Sequence, residues 1–244
     1  MMLLIAVGLF AFDSREVMGI NVWIKPMKFM ASITIYLVTI TWLIGYIDRP
    51  RWSVRTMAWG ISACMVVETT MIFLQAGRGV RSHFNDASAF DATVFAIMGI
   101  GVIVDALLML LMLVLFFRRQ KKLPDTYLWG IRFGILMFLA GGIAGGWMSS
   151  RGGHTVGSAD GGQGLPLLNW SVTAGDLRIA HGLGLHGLQV MPILGYLLSR
   201  RWKSRLGPGA STTLLVTFGV LYGAMMLGMF LQAMAGASIV TLWQ

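Results

Sequence analysis

Glu68 and Asp105 are carboxylic acids set inside long apolar runs, where an ionised group is costly and marks either a function or an obligatory partner. Glu68 is followed seven residues later by Gln75, about two helical turns, so both fall on one face with Gly79 beyond them. Asp91, Met98 and Asp105 repeat at the same spacing, as do Lys25, Ser32 and Thr39. Arg78 and the run Arg81-Ser-His83-Phe-Asn85 follow Gln75 directly, and Arg178, His181, His186 and Gln189 fill the first half of another apolar stretch. A carboxyl in low dielectric moves toward the range useful for proton transfer, which makes Glu68 and Asp105 the candidate acid–base groups. His181 and His186 are their candidate proton-transfer partners. Lys25, Arg78, Gln75, Asn85 and Gln189 are the candidate substrate-binding residues, the two cations suited to an anionic group. His83, His181 and Asp91 are candidate donors for one metal ion, and His83 with His181 or His186 for a single haem.

Each residue also has a plainer role. Glu68 and Asp105 can be interhelical hydrogen-bond groups, satisfied by Arg78 or a histidine. Two acids on facing stripes beside Gln, Arg and His weigh the pair toward function. Asp176 follows Thr173 by three, the spacing of a helix N-terminal cap, and that role is preferred for it. Lys25 and Lys28 suit headgroup anchors, and Arg132 suits a snorkelling side chain. The glycines of Gly141-Gly142-Ile-Ala-Gly145-Gly146 and of Gly182, Gly184 and Gly187 suit close helix packing, while Pro192 should kink its helix.

Some motifs carry nothing. Gly182-Leu-Gly184-Leu-His-Gly187 spells a dinucleotide fingerprint, but no strand precedes it and it lies in an apolar helix. His181 and His186, five apart, diverge by about 140° around a helix and cannot clamp one ion as an i, i+4 pair does. The lysines (Lys25, Lys28, Lys121, Lys122, Lys203) lie at span ends or in loops, so a retinal-binding lysine in the last span is absent. The four histidines do not supply the facing sets that a two-haem cytochrome b bundle needs.

These side chains must be positioned by membrane helices. Charged residues make up 12% of the 244 and hydrophobic ones 56%, with a mean hydropathy of +0.73. A soluble chain of this size could not hide so much apolar surface. Cys64 is the single cysteine, so no intramolecular disulfide forms. Six apolar stretches, near 29–47, 56–76, 92–117, 128–149, 177–199 and 212–235, are long enough to cross a bilayer. Residues 2–12 are shorter, have no basic stretch before them, and are expected to be a thin first span rather than a cleaved signal peptide.

Three short loops hold 11 of the 19 basic residues: Arg49, Arg51 and Arg55, then Arg118, Arg119, Lys121 and Lys122, then Arg200, Arg201, Lys203 and Arg205. They alternate along the chain, so the positive-inside rule makes them cytoplasmic and accounts for the pI of 10.3 without nucleic acid. The expected architecture is all-α: one polytopic transmembrane bundle over residues 1–244, with about seven spans, a cytoplasmic N-terminus and an outer C-terminus. The expected location is a bacterial cytoplasmic membrane. The 150–176 loop, rich in glycine, lies on the outer face as a lid or a slack connector.

The polar groups gather toward the outer half, which implies a polar cavity open to the outer leaflet. Membrane lipids and a lipophilic small molecule are the expected partners. The first functional reading is an enzyme or cofactor-binding protein acting on that molecule. The alternatives are a proton-coupled carrier and a non-catalytic subunit of a membrane complex. No internal or inverted repeat of the kind many transporters carry is visible.

Overall fold

The computed structural model describes residues 1–47, 51–118 and 123–240. Arg49, Arg119, Lys121 and Lys122, which enter the charge census above, lie outside the described residues, as do the side chains of Arg51 and Lys203. The described chain is helical: α1 (Met2–Phe12), α2 (Ile24–Ile44), α3 (Arg51–Arg78), α4 (Ala89–Phe117), α5 (Asp125–Arg151), α6 (Arg178–Arg200) and α7 (Lys203–Met234). Two small antiparallel ladders form, each within one loop, β1 (Glu16–Val17) with β2 (Ile20–Asn21) between α1 and α2, and β3 (Thr155–Val156) with β4 (Gly175–Asp176) between α5 and α6.

Five helical segments are long and apolar enough to cross a membrane: Ile24–Ile44, Trp52–Arg78, Ala89–Phe117, Asp125–Arg151 and Arg205–Met234. The chain is an integral membrane protein of several spans. α1 has 11 residues, as the sequence suggests, and α6 has 23 but is diluted by Arg178, two histidines and glycines. The expectation of six full apolar spans therefore falls to five by length and composition. α6 nevertheless packs along α5 and α7 inside the bundle.

Local chemistry sets the helix ends. Pro26 is tolerated in the first turn of α2 because its missing N–H would have no intrahelical acceptor there. Ser88 caps α4, and α5 stops at Gly152, whose φ of 68 lets the Gly152 and Gly153 amides return to Ser149 and Met148. α7 is interrupted at Gly207, just ahead of Pro208.

The α5–α6 seam depends on glycine, as the sequence pattern implies. A Cβ at Gly130 would lie 2.6 Å from the Met191 carbonyl oxygen, and one at Gly141 would lie 2.9 Å from the Gly184 Cα. In lipid, helices gain little from apolar burial against one another, so close backbone approach of this kind holds them. Gly142, Gly146 and Gly182 meet nothing within 4 Å and take no part in the seam. At the end of the bundle carrying Arg55, Arg118 and Arg200, Leu43, Met57, Met109, Met112, Phe116 and Ile131 form the main apolar core. Arg132, expected only to snorkel, donates from Nε to the Phe116 carbonyl at 3.0 Å and lies over the Phe117 and Trp129 rings.

Candidate functional site

At the opposite end, the first polar group is spent on joining α3 to α4. Ser88 and Asp91 bond reciprocally, the Asp91 amide donating to Ser88 Oγ (3.1 Å) and the Ser88 hydroxyl to Asp91 Oδ2 (2.6 Å). Gln75 Nε2 donates to Asp91 Oδ1 at 2.8 Å, and the Arg78 guanidinium pairs with the same oxygen while lying over Phe90. The seven-residue spacings of Gln75 and Asp91 thus serve a helix-end clamp. Arg78 is already neutralised, and Asp91 is saturated by these donors rather than free to ligate a metal. Asn85 is likewise occupied: it donates to the Arg81 carbonyl and accepts from the Ala87 amide, holding the loop between α3 and α4.

That loop turns back onto the bundle. Gly79 ends α3 at φ 71, and Phe84 takes φ 54. His83 is thereby brought down to Glu68, its Nε2 3.2 Å from Glu68 Oε1 and its Nδ1 3.1 Å from Ser82 Oγ. Phe29 from α2, Phe84 and Phe95 from α4 surround the imidazole at ring separations of 5.5–6.1 Å. Burial holds His83 below its ordinary pKa, and the nearby Lys25 ammonium pushes the same way against the pull of Glu68. The neutral ring then donates from Nε2 to Glu68 and accepts the Ser82 hydroxyl proton at Nδ1, a tautomer assigned from the bonding partners.

Glu68 is 6% exposed, yet its Oε2 has no partner among the described residues. A buried carboxylate oxygen left without a donor is uncommon and costly. Lys25 lies beside it in the same electrostatic neighbourhood, 5.6 Å from the Phe29 ring centre, with no hydrogen bond or ion pair among the described residues.

The other candidates stand apart. Asp105 Oδ1 accepts from Tyr36 Oη at 2.8 Å, and Tyr36 stacks on Phe138 of α5. Glu68 and Asp105 therefore have different partners. His181 has Nδ1 2.8 Å from the Gly141 carbonyl, so Nδ1 carries the proton and donates, and Nε2 has no partner among the described residues. His186 is exposed, with only a 3.4 Å contact to Gln189 Oε1, while Gln189 Nε2 donates to Thr39 Oγ1 of α2 at 3.2 Å. The polar residues read from the sequence as one cavity have separate partners in the structure.

The 150–176 loop is not slack. Asp160 accepts from the His154 and Thr155 amides (shortest 2.8 Å) and pairs with Arg81 at 3.2 Å, tying this loop to the one that carries His83. Asp176, 1% exposed, accepts from the Ser171 and Arg178 amides and pairs with the Arg178 guanidinium at 2.6 Å. It is not the N-cap residue expected: that position is Leu177, which has no side-chain cap bond, and Asp176 lies one residue earlier, where its side chain accepts the Arg178 amide. His154 sits between the two acids, 3.4 Å from Asp160 and 3.8 Å from Asp176. Burial, helped by the Arg178 charge, holds it down to about 4 against the pull of both carboxylates. It is thus neutral near pH 7. A cleft of about 420 Å³ lies between this loop and residues 18–24, and none of the residues predicted to act on a ligand lines it.

Sequence reasoning assigns no site role to Tyr36, Phe29, Phe84, Phe95, Arg81 or Asp160. Only Asp160, ahead of Gly161-Gly162, offered a signal, as an acid placed to collect loop amides. For a metal ion, no three His, Cys, Asp or Glu side chains converge among the described residues. His83 engages both ring nitrogens and does not fit an axial haem ligand without giving up Glu68; His181, with Nε2 unpaired, does not have that obstacle. No family model matches this chain, and neither a curated protein nor a solved structure does.

Proposed function

We propose that this integral membrane protein binds a lipophilic small molecule by its polar head at Lys25, Glu68 and His83, with Glu68 as the acid–base group. The observation that carries this reading is the buried Glu68 carboxylate, with one oxygen held by His83 and the other without a donor. An oxygen in that position calls for a hydroxyl or amine proton from a ligand, and the unpaired Lys25 ammonium beside it offers a donor to an acceptor atom. The site suits a head with both a donor and an acceptor, the donor toward the bare Glu68 oxygen and the acceptor toward Lys25. The anionic group expected from Lys25 and Arg78 together is disfavoured, because Arg78 is engaged by Asp91. His83 orients Glu68, and Phe29, Phe84 and Phe95 keep the dyad in an apolar setting where proton transfer gains strength.

In this reading α1 and α6 also cross the bilayer. Seven spans place the basic loops in the cytoplasm, the Glu68 site toward the outer leaflet, and the chain in a bacterial cytoplasmic membrane.

The test is to purify the parent and Glu68→Gln in mild detergent and to identify co-purifying lipophilic molecules by mass spectrometry. Glu68→Gln keeps the shape and removes the titratable group, so it should retain the parent's melting temperature and lose at least tenfold of a molecule with such a head that the parent carries. Equal content in two equally stable proteins overturns the proposal.

A further inference from the structure

The crest of the loop between α5 and α6, Leu165-Pro166-Leu167-Leu168-Asn169-Trp170, turns its leucines outward. Leu167 is 81% exposed and Leu168 44%. Leu167 and Asn169 have φ of 62 and 55, the left-handed region that costs any residue with a Cβ and is rarest for bulky ones. The turn is firmly built all the same. The Asn169 amide donates to the Leu165 carbonyl and the Leu168 amide to the Pro166 carbonyl, each at 2.7 Å, while the Leu165 amide donates to the Trp170 carbonyl at 2.8 Å. The Arg178 guanidinium holds the Asn169 carbonyl from beneath. Backbone strain is thus used to present apolar side chains, not to hide them. In water that arrangement is unfavourable twice over, once for the strained leucine and once for its bare surface.

The position of the crest resolves this. Lys28 Nζ donates to the Leu168 carbonyl at 3.2 Å, and Lys28 lies about one turn inside the start of α2, a helix apolar enough to cross the bilayer. The crest is therefore pinned against the start of a helix apolar enough to cross the bilayer, beside Ile24 and Ile20. Lys28 at that level suits the headgroup boundary, with its stem along apolar surface and its ammonium on a carbonyl.

We infer that Leu167 and Leu168 are seated in the adjoining bilayer leaflet, at the boundary between headgroups and acyl chains. The crest is a lipid-binding surface that anchors the loop to the membrane it overhangs. Ser158 of the same loop is exposed too, but has no such tether and serves as the aqueous reference.

The experiment uses the full chain with Cys64→Ala, carrying Leu167→Cys or Ser158→Cys labelled with an environment-sensitive fluorophore. The protein is reconstituted in phosphatidylcholine vesicles with or without brominated acyl chains. The Leu167→Cys label should be quenched by brominated lipid at least threefold more than the Ser158→Cys label, with the reverse order for aqueous iodide. Leu168→Cys gives the same reading should Leu167→Cys not fold. Equal lipid quenching at both positions with free iodide access at 167 overturns the inference. So does a label shielded from both quenchers, as contact with a second copy of the chain would leave it.

Discussion

At the end of the bundle that carries Arg55, Arg118 and Arg200, the helices meet through Met57, Met109, Met112, Phe116, Ile131 and Leu43, with the Arg132 guanidinium closing onto a carbonyl and two rings. At the other end they meet through Gln75–Asp91–Arg78, Glu68–His83, Asp160–Arg81 and Asp176–Arg178. At the apolar end the buried atoms left without a partner among the described residues are hydroxyls, Tyr127 Oη and Ser211 Oγ, and no carboxyl or amine is among them. At the polar end most ionisable groups have an assigned partner, and among the described residues the atoms without one include Glu68 Oε2, Arg81 Nε, Gln232 Oε1, Lys25 Nζ and His181 Nε2; of these only Glu68 Oε2 is a carboxyl oxygen. The contrast teaches that buried polarity in this protein is mostly structural. A functional site is found by asking which polar atoms remain unused, rather than by counting acids.

The contrast can be broken at several points. The largest outcome is all-or-none and concerns whether the two ends face opposite compartments. Reporters fused after Ser158 and after Arg205 are separated by α6 alone, and they should report opposite sides of the membrane. Same-side signals would show that α6, a long helix that is not among the five apolar enough to cross by length and composition, does not cross. Within the apolar end, Phe116→Ala should cost about 3 kcal/mol of stability, because Phe116 has no exposed surface and its neighbours cannot collapse onto the gap. Unfolding of reconstituted protein measures this, and the lipophilic content should not change.

At the polar end, Asp176→Asn leaves the Arg178 guanidinium without its counter-charge. Arg178 keeps 24% of its side chain exposed, so the expected loss is about 2 kcal/mol rather than the full cost of a buried pair. Local opening by that amount makes trypsin cleavage at Arg151 roughly 30-fold faster. Unchanged cleavage would remove Asp176 from the loop's framework.

The smallest change near neutrality is the response to acid. His154 binds its proton less readily folded than unfolded, so the unfolded chain holds more protons between pH 6.5 and about 4. Stability is therefore full above pH 6.5 and declines as the pH falls through that window. Burial works to raise Asp160, but His154 and the Thr155 and His154 amides hold it below its ordinary value, so its contribution is lost at still lower pH. A melting temperature followed from pH 7.5 to 4.5 should fall, and His154→Gln should flatten the upper part of the curve.

The sequence alone determined that this is an all-helical membrane protein, and it located the helices closely: residues 2–12 and the stretches near 92–117 and 128–149 correspond to α1, α4 and α5 within a few residues. Those readings rest on the uninterrupted apolar length a bilayer demands, which is a local property of the chain. It also isolated Glu68 and His83 as candidates and offered Arg78 or a histidine as the partner of Glu68, but not which of them. Their pairing needs the loop after Gly79 to turn inward, and φ 54 at Phe84 is adopted because of what it packs against, not because of its type. Equal seven-residue spacings gave Asp91 and Asp105 equal standing, and only packing separated a clamp on Arg78 from a bond to Tyr36. Helical periodicity assigns a residue to a face. Which side chain lies opposite, and whether any oxygen is left without a donor, depends on how the neighbouring helices are brought together, and that is decided in three dimensions.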